Sequence, residues 1–190
     1  TDSIARVGRV PLNLAFATLI PGPKMIYEFG EMGYDYSIDS NGGRTGSKPS
    51  AWGYLDLAHR KAAYDAVSKI ISLRRLYPQA FTTGQFSLQI SESDWTAGKR
   101  IALTHADLNM VALGNFRTDA TISGNPGFQK TGTWYELFSG QELNVTNTSM
   151  TIDVAPGSLK IYTDRKIIFN TAVNPLNSTS DCEIYPTTTK

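Results

Sequence analysis

The sequence predicts an α+β chain: helices around one short strand up to about residue 80, then an antiparallel β-sandwich. Two patterns carry this reading. Apolar residues recur at helical spacing between residues 56 and 76, where Tyr64, Val67, Ile70, Ile71 and Arg74 fall three or four apart. After residue 84 the pattern changes to short apolar or alternating runs separated by Gly, Pro and Asn, at the ~8–12-residue spacing of a sandwich.

Taken in order, Ser3 is placed to cap a helix carrying Ile4, Val7, Leu12, Phe16, Leu19 and Ile20. Pro11 should kink or break it, and Pro21-Gly22-Pro23 ends it. Lys24 to Phe29 is an apolar run bounded by Pro and Gly and reads as a buried strand. Residues 30–53 are rich in Gly, Asn, Ser and Asp without period, and so long a loop is usually functional or disordered. Asp56 is the expected N-cap of the helix to Leu76, which Pro78 stops. The expected strands are Phe86 to Ile90, Ile101 to Thr104, Met110 to Leu113, Trp134 to Phe138, Leu143 to Val145, Met150 to Val154 and Leu159 to Tyr162. Gly124-Asn125-Pro126-Gly127 and Ala155-Pro156-Gly157 are the plainest turns. The organisation expected is therefore 1–80, 81–165 and a polar tail at 166–190.

Composition narrows the function. With 18 Lys+Arg against 17 Asp+Glu the formal net charge is +1, which argues against a nucleic-acid partner. No apolar run is long enough for a membrane span. One cysteine, Cys182, excludes an internal disulfide and a multi-cysteine metal site, and two histidines, His59 and His105, are too few for a His-based zinc centre. His105 with Asp107 reads as a turn, since no nucleophile adjoins them. The acceptor patterns at Asn144, Asn147 and Asn177 read as turn chemistry.

Two local motifs make the unusual element order specific. Pro21-Gly22-Pro23-Lys24-Met25-Ile26-Tyr27-Glu28-Phe29-Gly30-Glu31, continued by Met32 to Ile38, resembles the segment around the eighth barrel strand of the α-amylase family of glycoside hydrolases. Arg44-Thr45-Gly46-Ser47-Lys48-Pro49, with Trp52 and Tyr54, is similar to that family's Arg-Thr-x-x-Lys-Pro loop, with Gly46-Ser47 in place of Asp-Pro and Ala51 in place of Arg. Asn109 to Asn115 and Ala155 to Tyr162 resemble the central and closing strands of its C-terminal domain, so the likeness covers roughly residues 4–163. It implies that 1–80 is the incomplete end of a (β/α)8 barrel and 81–165 the C-terminal sandwich.

The resemblance also implies a chemistry. The family's three reacting carboxylates follow barrel strands four, five and seven, and this chain begins after the last of them. It is expected to be the inactive C-terminal fragment of a parent that cleaves or transfers α-1,4-glucosidic bonds of starch-like glucans by a retaining mechanism. No catalytic residue, metal or cofactor is expected in the chain, with calcium a matter for the parent. Its expected partners are the α-glucan, reached through the parent, and the missing barrel portion. Open edges on Lys24–Phe29 add the expectation that 1–80 packs in a non-native way, on another copy in a homo-oligomer or on the sandwich. Glu183 to Thr187 resembles the start of a bacterial sorting segment, consistent with a secreted, periplasmic or cell-surface enzyme.

The substrate-binding candidates are Glu31, Tyr34, Arg44, Lys48 and Trp52, in the loop after the last barrel strand. Glu28 and Glu31 read either as an acid/base pair or, more simply, as loop carboxylates holding Arg44 or Lys48. Tyr27, Tyr34, Tyr36, Trp52 and Tyr54 suit stacking on sugar faces and equally suit packing against a barrel. The alternative function is a stand-alone carbohydrate-binding or structural sandwich, with Trp95, Trp134 and Tyr135 as the binding platform.

Overall fold

The computed structural model describes residues 2–90 and 98–169. Trp95, Cys182, Asn177 and the expected tail beyond residue 169 lie outside the described residues.

The first expected helix is two: α1 (Asp2–Gly8) and α2 (Val10–Thr18), broken at Arg9. The break falls just ahead of Pro11, which occupies the first turn of α2, where a missing N–H costs nothing. Ser3 lies inside α1 rather than capping it. The helix α3 (Ala58–Leu76) begins after a 3₁₀ turn, Trp52–Asp56, so Asp56 ends that turn and does not cap α3. Pro78 both follows the end of α3 and opens a short helix, α4 (Pro78–Thr83).

Lys24–Phe29 is not a strand. Residues 24–27 have no regular structure, and Met25 and Tyr27 are 84% and 70% exposed. A strand is stable only when neighbours take up its backbone N–H and C=O groups, and no neighbour pairs with this segment among the described residues.

Among the described residues eight strands follow: β1 (Gln85–Gln89), β2 (Lys99–Thr104), β3 (Met110–Gly114), β4 (Ile122–Gly124), β5 (Gly132–Glu136), β6 (Glu142–Val145), β7 (Ile152–Val154) and β8 (Leu159–Thr163). Six form an open antiparallel sheet in the order β1-β2-β3-β8-β5-β6, and β4 pairs with β7 in a second sheet. The period of two sends alternate side chains of β3 to opposite faces. Val111 and Leu113 join Phe128, Trp134, Val154 and Tyr162 in a core under the β4–β7 sheet. Met110 and Ala112 join Ile101, Leu103 and Ile161 in a second core, closed by Ala15 of α2 and Leu19 at its C-cap, Ile70 and Leu73 of α3, and Phe81 of α4. Every residue of β3 is therefore buried.

The helices thus pack on the six-stranded sheet. Gly114 permits the close approach, since a Cβ there would lie 2.6 Å from Leu12 Cδ1 and from Phe16 Cε2. Polar ties run along the same seam. The Arg9 guanidinium donates to the Phe116 carbonyl at 2.6 Å, and the Lys69 ammonium to the Phe138 carbonyl at 2.7 Å. The buried Asn115 side chain donates to the Ala120 and Val154 carbonyls and accepts from the Arg117 amide, binding the two sheets to each other. Asp164, at the end of β8, is buried, which raises its pKa. The Lys130 ammonium at 2.7 Å and two Asn109 donors outweigh that and hold it below the usual carboxylate range.

Two stability outcomes follow. Gly114→Val, which adds side-chain atoms where α2 sits, should lower stability by about 1–3 kcal/mol in urea denaturation. A piece comprising residues 81–169 exposes Leu103, Met110 and Ile161 and should bind a hydrophobic dye and lose its cooperative melt; a melt as sharp as the whole chain's would mean the sandwich does not need the helices.

Candidate functional site

The long loop is built from a buried cation outward. Arg60, in the first turn of α3, is only 4% exposed. Its guanidinium donates to the Met32 and Gly33 carbonyls at 3.1 and 2.5 Å and to Asp35 Oδ2 at 2.6 Å, and its plane lies 3.8 Å from the Tyr54 ring centre. Tyr54 donates its hydroxyl to the other Asp35 oxygen at 2.5 Å. Burial, with the Asp35 charge beside it, pushes the Tyr54 phenol up to about 12. The Tyr54 hydrogen bond and then Arg60 hold the Asp35 carboxyl below the usual carboxylate range.

From this anchor a run of rings extends. Tyr34 stacks on Phe29 at 5.9 Å and leans on Tyr36 at 5.2 Å, Tyr36 lies parallel to Tyr54 at 6.4 Å, and Trp52 meets Phe29 edge-on at 4.9 Å. Tyr34 donates its hydroxyl to the Pro49 carbonyl at 2.6 Å, which fixes its ring. Lys48 uses its ammonium on the Ile38, Ser40 and Gly43 carbonyls at 2.7, 2.8 and 2.7 Å.

These residues enclose an open cleft of about 560 Å³, lined in part by Tyr27, Glu28, Tyr34, Tyr36, Arg44 and Lys48. Of the five binding candidates, Tyr34, Arg44 and Lys48 meet there. Lys48 serves the loop backbone. Glu31 lies in the 3₁₀ turn Gly30–Met32, off the cleft lining, and Trp52 stands apart, 63% exposed. Glu28 lines the cleft, and Lys48 is held by carbonyls rather than by either glutamate.

The structure corrects the Trp134 part of the sandwich platform. Trp134 is fully buried, edge-on to Phe128 at 5.0 Å, with its indole N–H on the Lys130 carbonyl. It fills the inter-sheet core and cannot stack on a sugar. His105 is a turn residue: its Nδ1 accepts from the Asp107 amide at 3.1 Å, and its Nε2 lies 3.3 Å from the Thr83 hydroxyl. Asn147 likewise accepts from the Ser149 amide in a turn. Among the described residues no group of three His, Cys, Asp or Glu is placed to hold a metal, and no helix is long and apolar enough to cross a membrane.

Arg60 was not legible as a site residue. Its signal is its place: Arg60, Ala63, Val67 and Ile70 form one buried stripe of α3, so the arginine continues an apolar face. Arg60→Met should free the loop, lowering stability by about 1.5–3 kcal/mol and exposing residues 33–50 to limited proteolysis. The pH dependence has two limits. The Asp35 contribution is present above the ordinary carboxylate value of about 4 and is lost as pH falls through its lowered pKa. The Tyr54 contribution is complete below the ordinary phenol value of about 10 and is lost as pH rises through about 12. Protease resistance of the loop should therefore be flat between these limits.

No protein-family model matches the sequence, and no curated protein matches it. Solved structures do match. An Anoxybacillus alpha-amylase aligns at a TM-score of 0.58 and 19% identity over 83% of this chain and 32% of its own. AmyP, solved with maltose, aligns at 0.62 and 16% over 83% of this chain and 34% of its own. CldA, a cyclomaltodextrin glucanotransferase, aligns at 0.58 and 17% over 84% and 33%. The chain spans about a third of the length of these enzymes, and over that span it has the fold of alpha-amylase family proteins.

Proposed function

We propose that this chain is the C-terminal part of an α-amylase-type glycoside hydrolase acting on starch-like α-glucans. The observation that carries the reading is the fold shared over 83% of the chain with an alpha-amylase and with AmyP. The loop motifs at residues 21–38 and 44–49 point the same way.

In this reading the parent cleaves or transfers α-1,4-glucosidic bonds by double displacement. One carboxylate attacks the anomeric carbon; a second protonates the leaving oxygen and then activates the water or acceptor that releases the glycosyl group. Both belong to the preceding barrel. This chain contributes the wall formed by the loop around residues 28–54, the α3 helix that carries it, and the sheet on which α3 rests. The sorting-like run Glu183 to Thr187 supports a secreted, periplasmic or cell-surface location for the parent.

The 190-residue chain should release no reducing sugar from soluble starch. The product of the reading frame extended upstream of Thr1 should hydrolyse starch with the α-anomer formed first, as read by NMR. Hydrolysis by the 190-residue chain alone, or an extended product that inverts the anomer or lacks activity, contradicts the proposal.

A further inference from the structure

We propose that Asn41 is a site of spontaneous covalent modification: the Gly42 backbone nitrogen attacks its side-chain amide, the residue becomes aspartate or isoaspartate, and the turn at residues 41–47 is unlatched. The inference rests on the sequence and geometry of that turn and stands apart from the reading of the parent enzyme.

The reaction exchanges nitrogen for oxygen. The Gly42 nitrogen bonds to the Asn41 side-chain carbonyl carbon, the bond from that carbon to Nδ2 breaks, and ammonia leaves with the Gly42 amide proton. Water then opens the cyclic imide at either carbonyl. One opening gives aspartate; the other routes the main chain through the side chain and gives isoaspartate. The balance is a water taken up and an ammonia lost, with no oxidant or reductant.

Three observations single out Asn41. First, it is the one asparagine in the sequence that precedes a glycine. Glycine has no Cβ to obstruct the approach of its nitrogen. The other described asparagines are worse placed. Asn125 precedes Pro126, which has no N–H to lose, and Asn147 precedes the β-branched Thr148. Asn13 lies within α2 and Asn144 within β6. Asn109 is held by Asp164 through its backbone and its side-chain N–H, and the Asn115 side chain makes three hydrogen bonds.

Second, Asn41 and Gly42 are both exposed, in a segment that is neither helix nor strand, so water reaches them. Their φ values are 55° and 93°. A left-handed turn of this kind selects Asn and Gly because other residues pay for their Cβ there. The geometry that calls for the pair thus also creates its chemical weakness.

Third, the Asn41 amide closes the turn. Its Nδ2 donates to the Ser47 carbonyl at 2.5 Å. Gly46 packs so closely that a Cβ there would strike the Asn41 carbonyl oxygen, and its amide donates to the Gly43 carbonyl at 3.0 Å. Conversion removes what this closure needs. The carboxylate has no N–H to give, so acceptor would face acceptor at Ser47. Isoaspartate also adds a methylene to the main chain where Gly46 leaves no room. The Nδ2 bond restrains the carboxamide while it is made, so reaction waits on opening of the turn, and the product keeps the turn open.

The test is incubation of the whole chain in mildly alkaline buffer over days, then tryptic digestion and mass spectrometry, with an unincubated sample digested alongside. The tryptic peptide of residues 25–44 holds Asn41 as its only asparagine and has no glutamine, so a mass gain there equal to exchange of NH2 for OH reports this site alone. It should convert severalfold faster than the peptide of residues 101–117, which carries Asn109 and Asn115, and part of the product should be a substrate for isoaspartyl methyltransferase. Gly42→Ala, shown to be folded by circular dichroism, should slow it severalfold. The converted chain, separated by its added negative charge, should be cut by limited trypsin after Arg44, inside the turn, severalfold faster than the unconverted chain. Asn41→Asp should show that sensitivity from the start. Conversion no faster than at Asn109 and Asn115, or unchanged in Gly42→Ala, overturns the site. Conversion that leaves cleavage after Arg44 unchanged overturns the unlatching.

Discussion

The six-stranded sheet has two apolar faces, and only one is covered by other strands. That constraint governs the rest of the structure. β3 is buried from end to end because Val111 and Leu113 serve one core while Met110 and Ala112 serve the other. The β4–β7 pair closes the first face. The second requires the helices, so Leu19, Ile70, Leu73 and Phe81 are as much part of the sheet's core as Ile101 or Ile161. Gly114 lets the layers approach, and Arg9 and Lys69 tie the helices to backbone carbonyls along the seam.

The loop inherits its position from that contact. α3 is held on the sheet by Ile70 and Leu73 in its C-terminal half, and its first turn presents Arg60 to the loop. Arg60 gathers the Met32 and Gly33 carbonyls and Asp35, and the rings of Tyr54, Tyr36 and Tyr34 follow in sequence. At the other end of α3, Arg74 donates to the Thr18, Ile20 and Gly22 carbonyls, closing the C-terminal end of α2 with a cation where the helix dipole favours one. One helix thus fixes the entry to the loop segment and its aromatic wall.

How far this was legible in the sequence depends on which elements declare themselves locally. Strands with alternation or a compact apolar run, such as β2, β3 and β8, were readable because a period of two is a local property. β4 was not: Ile122-Ser123-Gly124 is too short to alternate, and it exists only because β7 pairs with it. Lys24–Phe29 failed in the opposite direction, since an apolar run bounded by Pro and Gly looks like a strand whether or not a neighbour is present. The cleft was legible in part. The length of the loop and its tyrosines were visible, as were Arg44 and Lys48, but the division of labour between those two cations depends on which carbonyls the folded loop turns inward. Trp134 could be read as platform or core from sequence, and burial under β4 and β7 decides for core.

The central claim is that helices and sheet open as one unit, so that the loop is held by the same core as the sandwich. Native-state hydrogen exchange tests it most directly, by comparing the amides of Ile70 and Leu73 in α3 with those of Val111 and Ala112 in β3. The account predicts that both sets exchange only through the same global opening, with matching free energies and matching denaturant dependence. Exchange of the α3 amides through a separate opening, several kcal/mol below that of β3, would show that the helical layer is only loosely attached and would contradict it.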